Sequence, residues 1–352
     1  MRSYLSRFRS APVVTIAMVT YNSARFVREA IASVLAQDFE DFELVVCDDC
    51  STDDTWQLVK GFDDRRIRAV RNETNLGEYR NRNKALELAR GRYIIYIDGD
   101  DVIYEHGLGL MVRAMERFPG AGFAAALPKS DKFIFPVELS AAQYCRCTYL
   151  GPIVLASDFT QLFFRTEALR RAGGFDLRYR TGDLYIQYLL GSLGSVLLIS
   201  NGLAWWRRRR GQASESLIAC GQPIVEMWRY CRQMLDRPHF PLDAREKAVA
   251  RANLTRMVLR NSLRMFLRGR VANAARMAFT TGIPWHEWRC VLHPYEKAYL
   301  GEVTGEQPVH LAIEREAPVA KSPPRRRILP VRVPHPAVVA KRRSMELVTP
   351  AE

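Results

Sequence analysis

The sequence predicts an α/β protein built on a mostly parallel, doubly wound sheet with helices on both faces. Apolar stretches of strand length alternate with stretches of helical periodicity through residues 13–98. Polar or acidic residues follow each strand, and the richest group, Asp98-Gly-Asp-Asp101, directly follows a run of β-branched and aromatic residues. Strands joined through helices run parallel, and ligands of such sheets bind beyond the carboxyl ends of the strands.

Four strand and helix units follow one another along the chain. The strands are predicted at residues 13–19, 42–47, 67–70 and 93–98. The first helix is predicted from the apolar spacing of Phe26, Ile31, Val34 and Leu35. The second is capped by Ser51 or Thr52, and the third stops at Gly91.

The acids of residues 98–101 predict a cation site. Three carboxylates within four residues repel one another unless a positive ion binds between them. Carboxylate oxygens suit Mg²⁺ or Mn²⁺, which keep some waters and take further ligands from a substrate's phosphates. We therefore expect a divalent metal and a diphosphate at this strand end. A solvated Asp/Gly turn is the alternative.

Four motifs follow one another along the chain: Thr20-Tyr-Asn-Ser with Val34-Leu-Ala-Gln37, Val46-Cys-Asp-Asp-Cys-Ser-Thr-Asp-Asp54, Asn75-Leu-Gly77 followed by Arg82-Asn83, and Gly91-Arg-Tyr-Ile-Ile-Tyr-Ile-Asp-Gly-Asp-Asp101. In their order and spacing, these motifs resemble those of the family 2 glycosyltransferases of the GT-A fold. The resemblance continues to Ser214 and covers residues 12–214. It implies a Rossmann-like, nucleotide-diphospho-sugar transferase fold, with a UDP-sugar as the leading expectation for the donor.

The resemblance also implies roles for the residues that follow the first two strands. Thr20, Tyr21 and Asn22 would bind the donor, with Tyr21 stacking on the nucleotide base, and Asp49 would accept a hydrogen bond from the base. Tyr21 could instead cover the strand edge, and Asp49 could cap the following helix beside Ser51.

At the diphosphate end, the resemblance implies that Arg82 lies by the phosphates and that Asp98, Asp100 and Asp101 form the metal site. Asp100 is then the direct ligand, and Asp98 contacts ribose or metal-bound water. A divalent ion and a fixed guanidinium stabilise a leaving diphosphate. An exposed helix charge is the alternative for Arg82.

Asp183 is the predicted general base. It matches the family's acid at the start of a helix that carries Leu184, Ile186 and Leu189, and it would take the proton of an acceptor hydroxyl in a single displacement with inversion. Family members often have an acidic pair here, whereas this chain has Gly182. Asp183 could instead cap its helix, and Asp176 is the reserve candidate for the base.

The stretch Arg207-Arg-Arg-Arg-Gly-Gln-Ala-Ser214 resembles a family element that often contains a histidine near the metal. Arg209 takes that position here and could clamp the diphosphate as a bidentate donor, or it could belong to a basic surface loop. The Gln-x-x-Arg-Trp signature of processive synthases is absent, so one sugar per encounter is expected.

Charge is concentrated in the second part of the chain. Residues 1–202 are balanced, with 25 basic and 25 acidic residues, whereas residues 203–301 hold 18 basic against 7 acidic. Arg256, Arg260, Arg264 and Arg268 recur on one helical face. This face either points to water while apolar residues such as Val258, Leu259, Leu263, Met265 and Phe266 pack on the core, or contacts an anionic membrane. No nucleic acid is expected, because no recognition module is present.

The composition, with 48% hydrophobic residues among 352, allows a sizeable core. No stretch reaches the roughly 18 apolar residues of a membrane span, no signal peptide is recognisable, and the seven cysteines suggest no disulfide framework. We expect a cytoplasmic protein, either free or attached peripherally to the inner face of the membrane.

Four parts are predicted: an N-terminal arm (1–11), a GT-A domain (12–214), a basic helical C-terminal extension (215–301) and a Pro-rich, disordered basic tail (302–352). The acceptor would be a saccharide or a lipid-linked sugar in cell-surface polysaccharide or glycolipid assembly.

Two other functions remain open. A sugar-nucleotide pyrophosphorylase would carry a Gly-rich loop with lysine after the first strand, where this chain has Thr20-Tyr-Asn-Ser. A degenerate, basic membrane- or nucleic-acid-binding protein would have lost the acids, yet Asp49, Asp98, Asp100 and Asp183 are all present.

Overall fold

The computed structural model describes residues 11–128, 135–151, 157–207 and 220–292. The strands are β1 Val14–Thr20, β2 Phe42–Asp48, β3 Ile67–Arg71, β4 Tyr93–Asp98, β5 Val102–Ile103, β6 Ala121–Leu127, β7 Val137–Leu139, β8 Leu162–Arg165, β9 Ser195–Ser200 and β10 Ala204–Trp205. The α-helices are α1 Val27–Leu35, α2 Thr55–Lys60, α3 Glu78–Leu88, α4 Gly107–Arg117, α5 Ala141–Cys145, α6 Thr166–Arg171, α7 Gly182–Leu193, α8 Gln222–Leu235, α9 Ala244–Leu267 and α10 Val271–Thr280. A π-helical turn, Arg146–Leu150, continues α5, and 3₁₀ turns cover Phe159–Gln161 and Trp285–Leu292.

The main sheet has the strand order β3-β2-β1-β4-β8-β6-β9-β7. The pairs β3-β2, β2-β1, β1-β4 and β6-β9 are parallel, whereas β8 is antiparallel to both of its neighbours and β7 is antiparallel to β9. The predicted, mostly parallel sheet is confirmed, and all four strands of the first half run in one direction as expected. A short antiparallel pair, β5 with β10, lies apart from it.

Helices cover both faces of the sheet, which is why its central strands are apolar on both sides. Val14, Ile16 and Met18 of β1 pack in a core with α1, α2 and α4. Ala17, between them in the alternation, belongs to the core on the other face, with α3, α5 and α7.

The C-terminal helices join the second of these cores. Trp228, Tyr230 and Cys231 of α8 and Val258 of α9 are buried in it beside residues of α5 and α7. The helical C-terminal region is thus confirmed. No helix in the described parts of the chain combines the length and hydrophobicity needed to cross a membrane.

Two expectations need correction. The strand and helix pattern of the sequence is interrupted at residues 128–157, which predicts an acceptor-side loop region there. Of this segment, the described residues 135–151 instead form β7, α5 and the π-helical turn, and β7 adds to the sheet edge beside β9. Arg256 does not lie on a solvated basic face. It is 5% exposed, and its guanidinium donates to Asn253 Oδ1 and to the Cys290 carbonyl.

Residues 1–10 of the predicted arm and the whole predicted tail, 302–352, lie outside the described residues.

Candidate active site

A pocket of about 1000 Å³ opens at the carboxyl ends of β1, β2 and β4. It brings together most of the residues predicted from the sequence. Its lining includes Thr20, Tyr21, Asp49, Arg82, Asp98, Asp100, Asp101 and Asp183. Asn22 is not part of this lining, and Arg209 lies outside the described residues.

Strand register explains why residues far apart in sequence meet here. Thr20 of β1 pairs with Asp48 of β2, and Val19 pairs with Asp98 of β4. The backbone N–H of Asp49 donates to the Thr20 carbonyl at 2.8 Å, so the pairing continues one residue past the strand. The polar residues that follow three neighbouring strands therefore start from one edge.

The loops beyond β1 and β2 are tied to each other. The Asn22 backbone N–H donates to Ser51 Oγ at 3.0 Å, and Asn22 Oδ1 accepts from the Thr52 N–H at 2.9 Å. Thr20 Oγ1 donates to Asp48, which is fully buried. Thr20 and Asn22 thus support the loops, while Tyr21 between them is 48% exposed beside the pocket.

Asp49 organises the entry to α3. Its carboxylate accepts hydrogen bonds from Asn72 Nδ2 and the Leu76 N–H, both at 2.8 Å, and from the Gly77 N–H at 2.9 Å. Gly77 has φ +85°, a conformation that favours glycine. Asp49 therefore orders the Asn75-Leu-Gly77 motif, and three of its roughly four lone-pair positions are occupied.

The acidic loop after β4 passes very close to β1. A Cβ at Gly99 would lie 2.7 Å from Thr20 Cγ2, so the loop requires glycine between its first two acids. Asp101 is 1% exposed, and its Oδ1 accepts from the Arg207 N–H at 2.9 Å. Its Oδ2 is buried and has no hydrogen-bond partner among the described residues. Burial and the nearby Asp98 raise the pKa of Asp101 to about 8.

Arg82 is buried beneath these acids. Its Nη2 donates to Asp98 Oδ1 at 2.8 Å and to Glu78 Oε1 at 3.2 Å, and its guanidinium carbon lies 3.8 Å from the Phe159 ring centroid. Burial disfavours the charged guanidinium, but the carboxylates of Asp98 and Glu78 outweigh it and raise the pKa of Arg82. Its Nε and Nη1 have no hydrogen-bond partner in the described residues.

The acids do not form a complete metal site by themselves. Among the described residues, no group of three or more His, Cys, Asp or Glu side chains could hold a metal ion. Yet the buried, unpartnered Asp101 Oδ2 and the 8% exposed Asp100 suit an ion that takes one or two carboxylates and completes its shell with water and phosphate oxygens. Asp100 and Asp101 thus fit Mg²⁺ or Mn²⁺ as an ion whose remaining ligands are water and phosphate oxygens.

Arg207 is a site residue that the sequence did not single out. The pairing of β5 with β10 brings it to the acidic loop, where its Nε donates to the Asp100 carbonyl at 2.7 Å and its Nη2 to Glu29. Its guanidinium also lies 4.5 Å from the centroid of Trp205. A run of four arginines offers no signal in the sequence that its first member, Arg207, contacts the acidic loop.

Asp183 lies on another wall of the pocket, in the first turn of α7. Burial, together with the negative charge of Glu78 and Asp158, raises the pKa of Asp183 from 3.8 to about 6. The hydrogen bond from Leu184 and the charge of Arg82 act in the opposite direction. A carboxyl group that titrates near pH 6 can accept a proton at neutral pH.

Tyr79 joins the two walls of the pocket. Its hydroxyl accepts from the Gly182 N–H at 2.8 Å and donates to the Arg180 carbonyl at 3.0 Å. A Cβ at Gly182 would lie 2.7 Å from the Tyr79 ring. The missing side chain at Gly182 therefore makes room for an aromatic ring from α3.

Glu226 of α8 holds the same turn from the other side. Its Oε2 accepts from the N–H groups of Arg180 and Thr181, at 2.8 and 2.9 Å, and from Thr181 Oγ1 at 2.8 Å. Glu226 is 3% exposed. The sequence draws attention to Glu226 only as an acid within a helix of apolar periodicity. Its hydrogen-bond partner Thr181, 45 residues away, cannot be identified from the sequence.

Comparison with known proteins finds a family model that matches part of this chain. Residues 15–171 match the family model for glycosyl transferase family 2. The chain is 38% identical over 89 residues to the UDP-Glc:alpha-D-GlcNAc-diphosphoundecaprenol beta-1,3-glucosyltransferase WfaP of Escherichia coli. The aligned segment covers 25% of this chain and 36% of that protein. Over 160 residues it is 32% identical to the putative teichuronic acid biosynthesis glycosyltransferase TuaG of Bacillus subtilis, covering 43% of this chain and 64% of that protein.

Among solved structures, S. aureus TarS 1-349 in complex with UDP-GlcNAc has a TM-score of 0.57 at 21% identity, over 70% of this chain and 72% of that one. This likeness confirms the predicted GT-A-type fold. The matches span about one third and about two thirds of the two curated relatives named above.

Proposed function

We propose, given that residues 15–171 belong to glycosyl transferase family 2, that this protein moves a sugar from a nucleoside-diphosphate sugar to an acceptor hydroxyl with inversion. The observation that carries the proposal is a single pocket with the acidic β4 loop on one wall and Asp183 on another. A direct displacement needs charge stabilisation for the leaving diphosphate and a base for the incoming hydroxyl. The two walls offer one group for each requirement.

The nucleotide would bind at the ends of β1 and β2. Tyr21 presents an exposed ring on which a base can stack, with an apolar face and a polar hydroxyl. Asp49 keeps room for about one further hydrogen bond, which an N–H of the base can donate. A uracil base in a UDP-sugar meets both requirements.

The diphosphate would lie against the β4 loop. Bound there, Mg²⁺ or Mn²⁺ supplies Lewis-acid stabilisation of the leaving diphosphate. Asp100 and Asp101 would hold the ion, and Asp98 would contact ribose or an ion-bound water. Arg82 offsets part of the negative charge of this loop through its ion pair with Asp98.

Asp183 would take the proton of the acceptor hydroxyl as that oxygen attacks the anomeric carbon. Its raised pKa keeps the carboxylate ionised yet basic at neutral pH. Tyr79 and Glu226 hold the turn before α7 and so fix the direction of this carboxylate.

The acceptor is proposed to be a saccharide or a lipid-linked sugar of a growing cell-surface polysaccharide. This proposal is supported by the printed names of the two relatives, which refer to a diphosphoundecaprenol-linked acceptor and to teichuronic acid.

The test is a thermal-shift and hydrolysis screen of nucleotide sugars with Mn²⁺, performed on wild type, Asp100→Ala and Asp63→Ala. Asp63 is an exposed acid that lies outside this pocket and serves as the matched control. We expect one nucleotide sugar to stabilise wild type and the control in a Mn²⁺-dependent way, and Asp100→Ala to lose at least tenfold in affinity. If no nucleotide sugar stabilises wild type, the proposal is wrong.

A further inference from the structure

The last two turns of α9 carry large apolar side chains that nothing in the described structure covers. Leu263, Phe266 and Leu267 are 51%, 55% and 74% exposed, and Val271, just beyond the turn into α10, is 55% exposed. The earlier turns of the same helix are buried through Ala250, Leu254 and similar residues. We call residues 263–271 the α9 tip. The exposed apolar surface of α9 is therefore concentrated in this tip, where the helix extends past the core.

Arginines flank this apolar strip. With about 100° of rotation per residue, Leu263, Phe266 and Leu267 form one stripe of the helix, and Arg264 and Arg268 form the stripe beside it. Both arginines are exposed. An apolar stripe next to a basic stripe is the pattern of a helix that lies in the interface of an anionic bilayer, with apolar side chains in the acyl boundary and guanidinium groups at the phosphates.

The charge around the tip excludes most other occupants. Between Glu246 and Glu287 the sequence contains no acidic residue and eight basic ones. A second copy of this chain would bring another +14, and residues 293–352 are themselves basic, with ten Lys and Arg against seven Asp and Glu. Both would be repelled, whereas an anionic surface is attracted.

The tip is also connected to the pocket. A Cβ at Gly221 would lie 2.2 Å from Met277 Cε and 2.9 Å from Met265 Cε, so the tip residue Met265 packs against the chain just before α8. Pro223, two residues further, lines the pocket. The residue that Met265 contacts and a residue of the pocket lining are therefore two positions apart at the start of α8.

We propose that the α9 tip docks this protein on an anionic lipid bilayer, with Leu263, Phe266 and Leu267 inserted and Arg264 and Arg268 at the lipid phosphates. The attachment presents the pocket to acceptors carried in that bilayer. Only this second statement depends on the proposed function, because membrane binding is measured without any transfer reaction.

The test uses the full chain in co-sedimentation with vesicles of phosphatidylcholine alone and of phosphatidylcholine with phosphatidylglycerol at a ratio of about 7:3. We expect binding only to the anionic vesicles, with a decline as salt screens the arginines. The double variants Phe266→Ser/Leu267→Ser and Arg264→Glu/Arg268→Glu should each lower the affinity at least tenfold.

The matched control is Leu110→Ser/Arg117→Glu on α4, which carries an exposed leucine and arginine on the opposite face of the sheet. This variant should bind within twofold of wild type, and all variants should keep the wild-type unfolding temperature within a few degrees. Equal binding to both vesicle types, or unchanged binding of the tip variants, would overturn the proposal.

Two further outcomes assign the tip to another occupant and so refute membrane docking. One is a wild-type dimer that the serine variant dissociates, and the other is nucleic-acid binding that the tip variants abolish, each without vesicle binding. Transfer to a water-soluble acceptor, measured in parallel, reports on the proposed function separately. Tip variants should leave it unchanged.

Discussion

Replacing Asp183 with asparagine should stabilise the protein and abolish the proposed transfer activity. The pKa of Asp183 is raised from 3.8 to about 6 by burial and nearby acids. In the range between these values, the folded state binds more protons than the unfolded state, so stability falls as pH rises, and the full penalty is present above about pH 6. At roughly 1.4 kcal/mol per pKa unit, the ionised carboxylate costs the fold about 3 kcal/mol.

The asparagine variant cannot ionise and escapes this penalty. We expect Asp183→Asn to unfold about 6 °C above wild type at pH 7.5, with the stability difference shrinking to about 1 kcal/mol at pH 4.5. Thermal unfolding of the ligand-free proteins at both pH values measures this stability difference between the variant and wild type. Donor binding should persist in the variant, and wild-type transfer should fall about tenfold per pH unit below pH 6 as the base is protonated.

Asp176→Asn is the matched control for this experiment. A hydrogen bond from Arg178 lowers the pKa of Asp176, so the same substitution there should not stabilise the protein at pH 7.5. A variant of Asp183 that is no more stable than wild type at pH 7.5, or is stabilised equally at both pH values, would refute the burial argument. Near-normal transfer with intact donor binding would remove Asp183 as the base.

Substitutions at two further residues, Gly182 and Glu226, test the turn before α7. Gly182→Ala places a Cβ 2.7 Å from the Tyr79 ring and should lower the free energy of unfolding, measured by chemical denaturation, by about 1–3 kcal/mol. It should also change kcat by a larger factor than it changes the KM for the donor. Gly194→Ala, with open space around its Cβ, should change stability by less than about 0.5 kcal/mol, and an equal loss in both would contradict the contact. Glu226→Ala removes the acceptor for the Thr181 N–H and hydroxyl and should cost about 3 kcal/mol with a lower kcat, which Glu226→Gln should partly restore. Equal kcat in Glu226→Ala and wild type would show that the turn does not position the base.

The proposed donor side of the site could be predicted from the sequence because it depends on local patterns and one topological rule. Apolar strands followed by polar residues identify Tyr21, Asp49 and Asp98 one at a time. Parallel pairing then brings the strand ends to one edge, since Thr20 pairs with Asp48 and Val19 with Asp98. Little freedom remains once the strands and their order are set.

The detailed partners of these residues could not be predicted, because they depend on side-chain directions across long separations. Arg207 reaches the acidic loop across 106 residues, and Tyr79 reaches Gly182 across 103. The periodicity of α9 predicted an arginine face that points either to water or to an anionic membrane, yet Arg256 is buried and donates to Asn253 and Cys290. Phe266 is exposed because the helix extends past the core that its earlier turns contact.

The sequence by itself determined the fold class and the acids that converge on one sheet edge, because hydrophobic periodicity sets the strands and parallel topology aligns their ends. The tertiary structure alone decided which groups hold the turn before Asp183, that Arg207 contacts the acidic loop, and which apolar residues of α9 the other described residues leave exposed. These features depend on how packed helices place individual atoms within hydrogen-bond and contact distance, and sequence spacing carries no information about that placement.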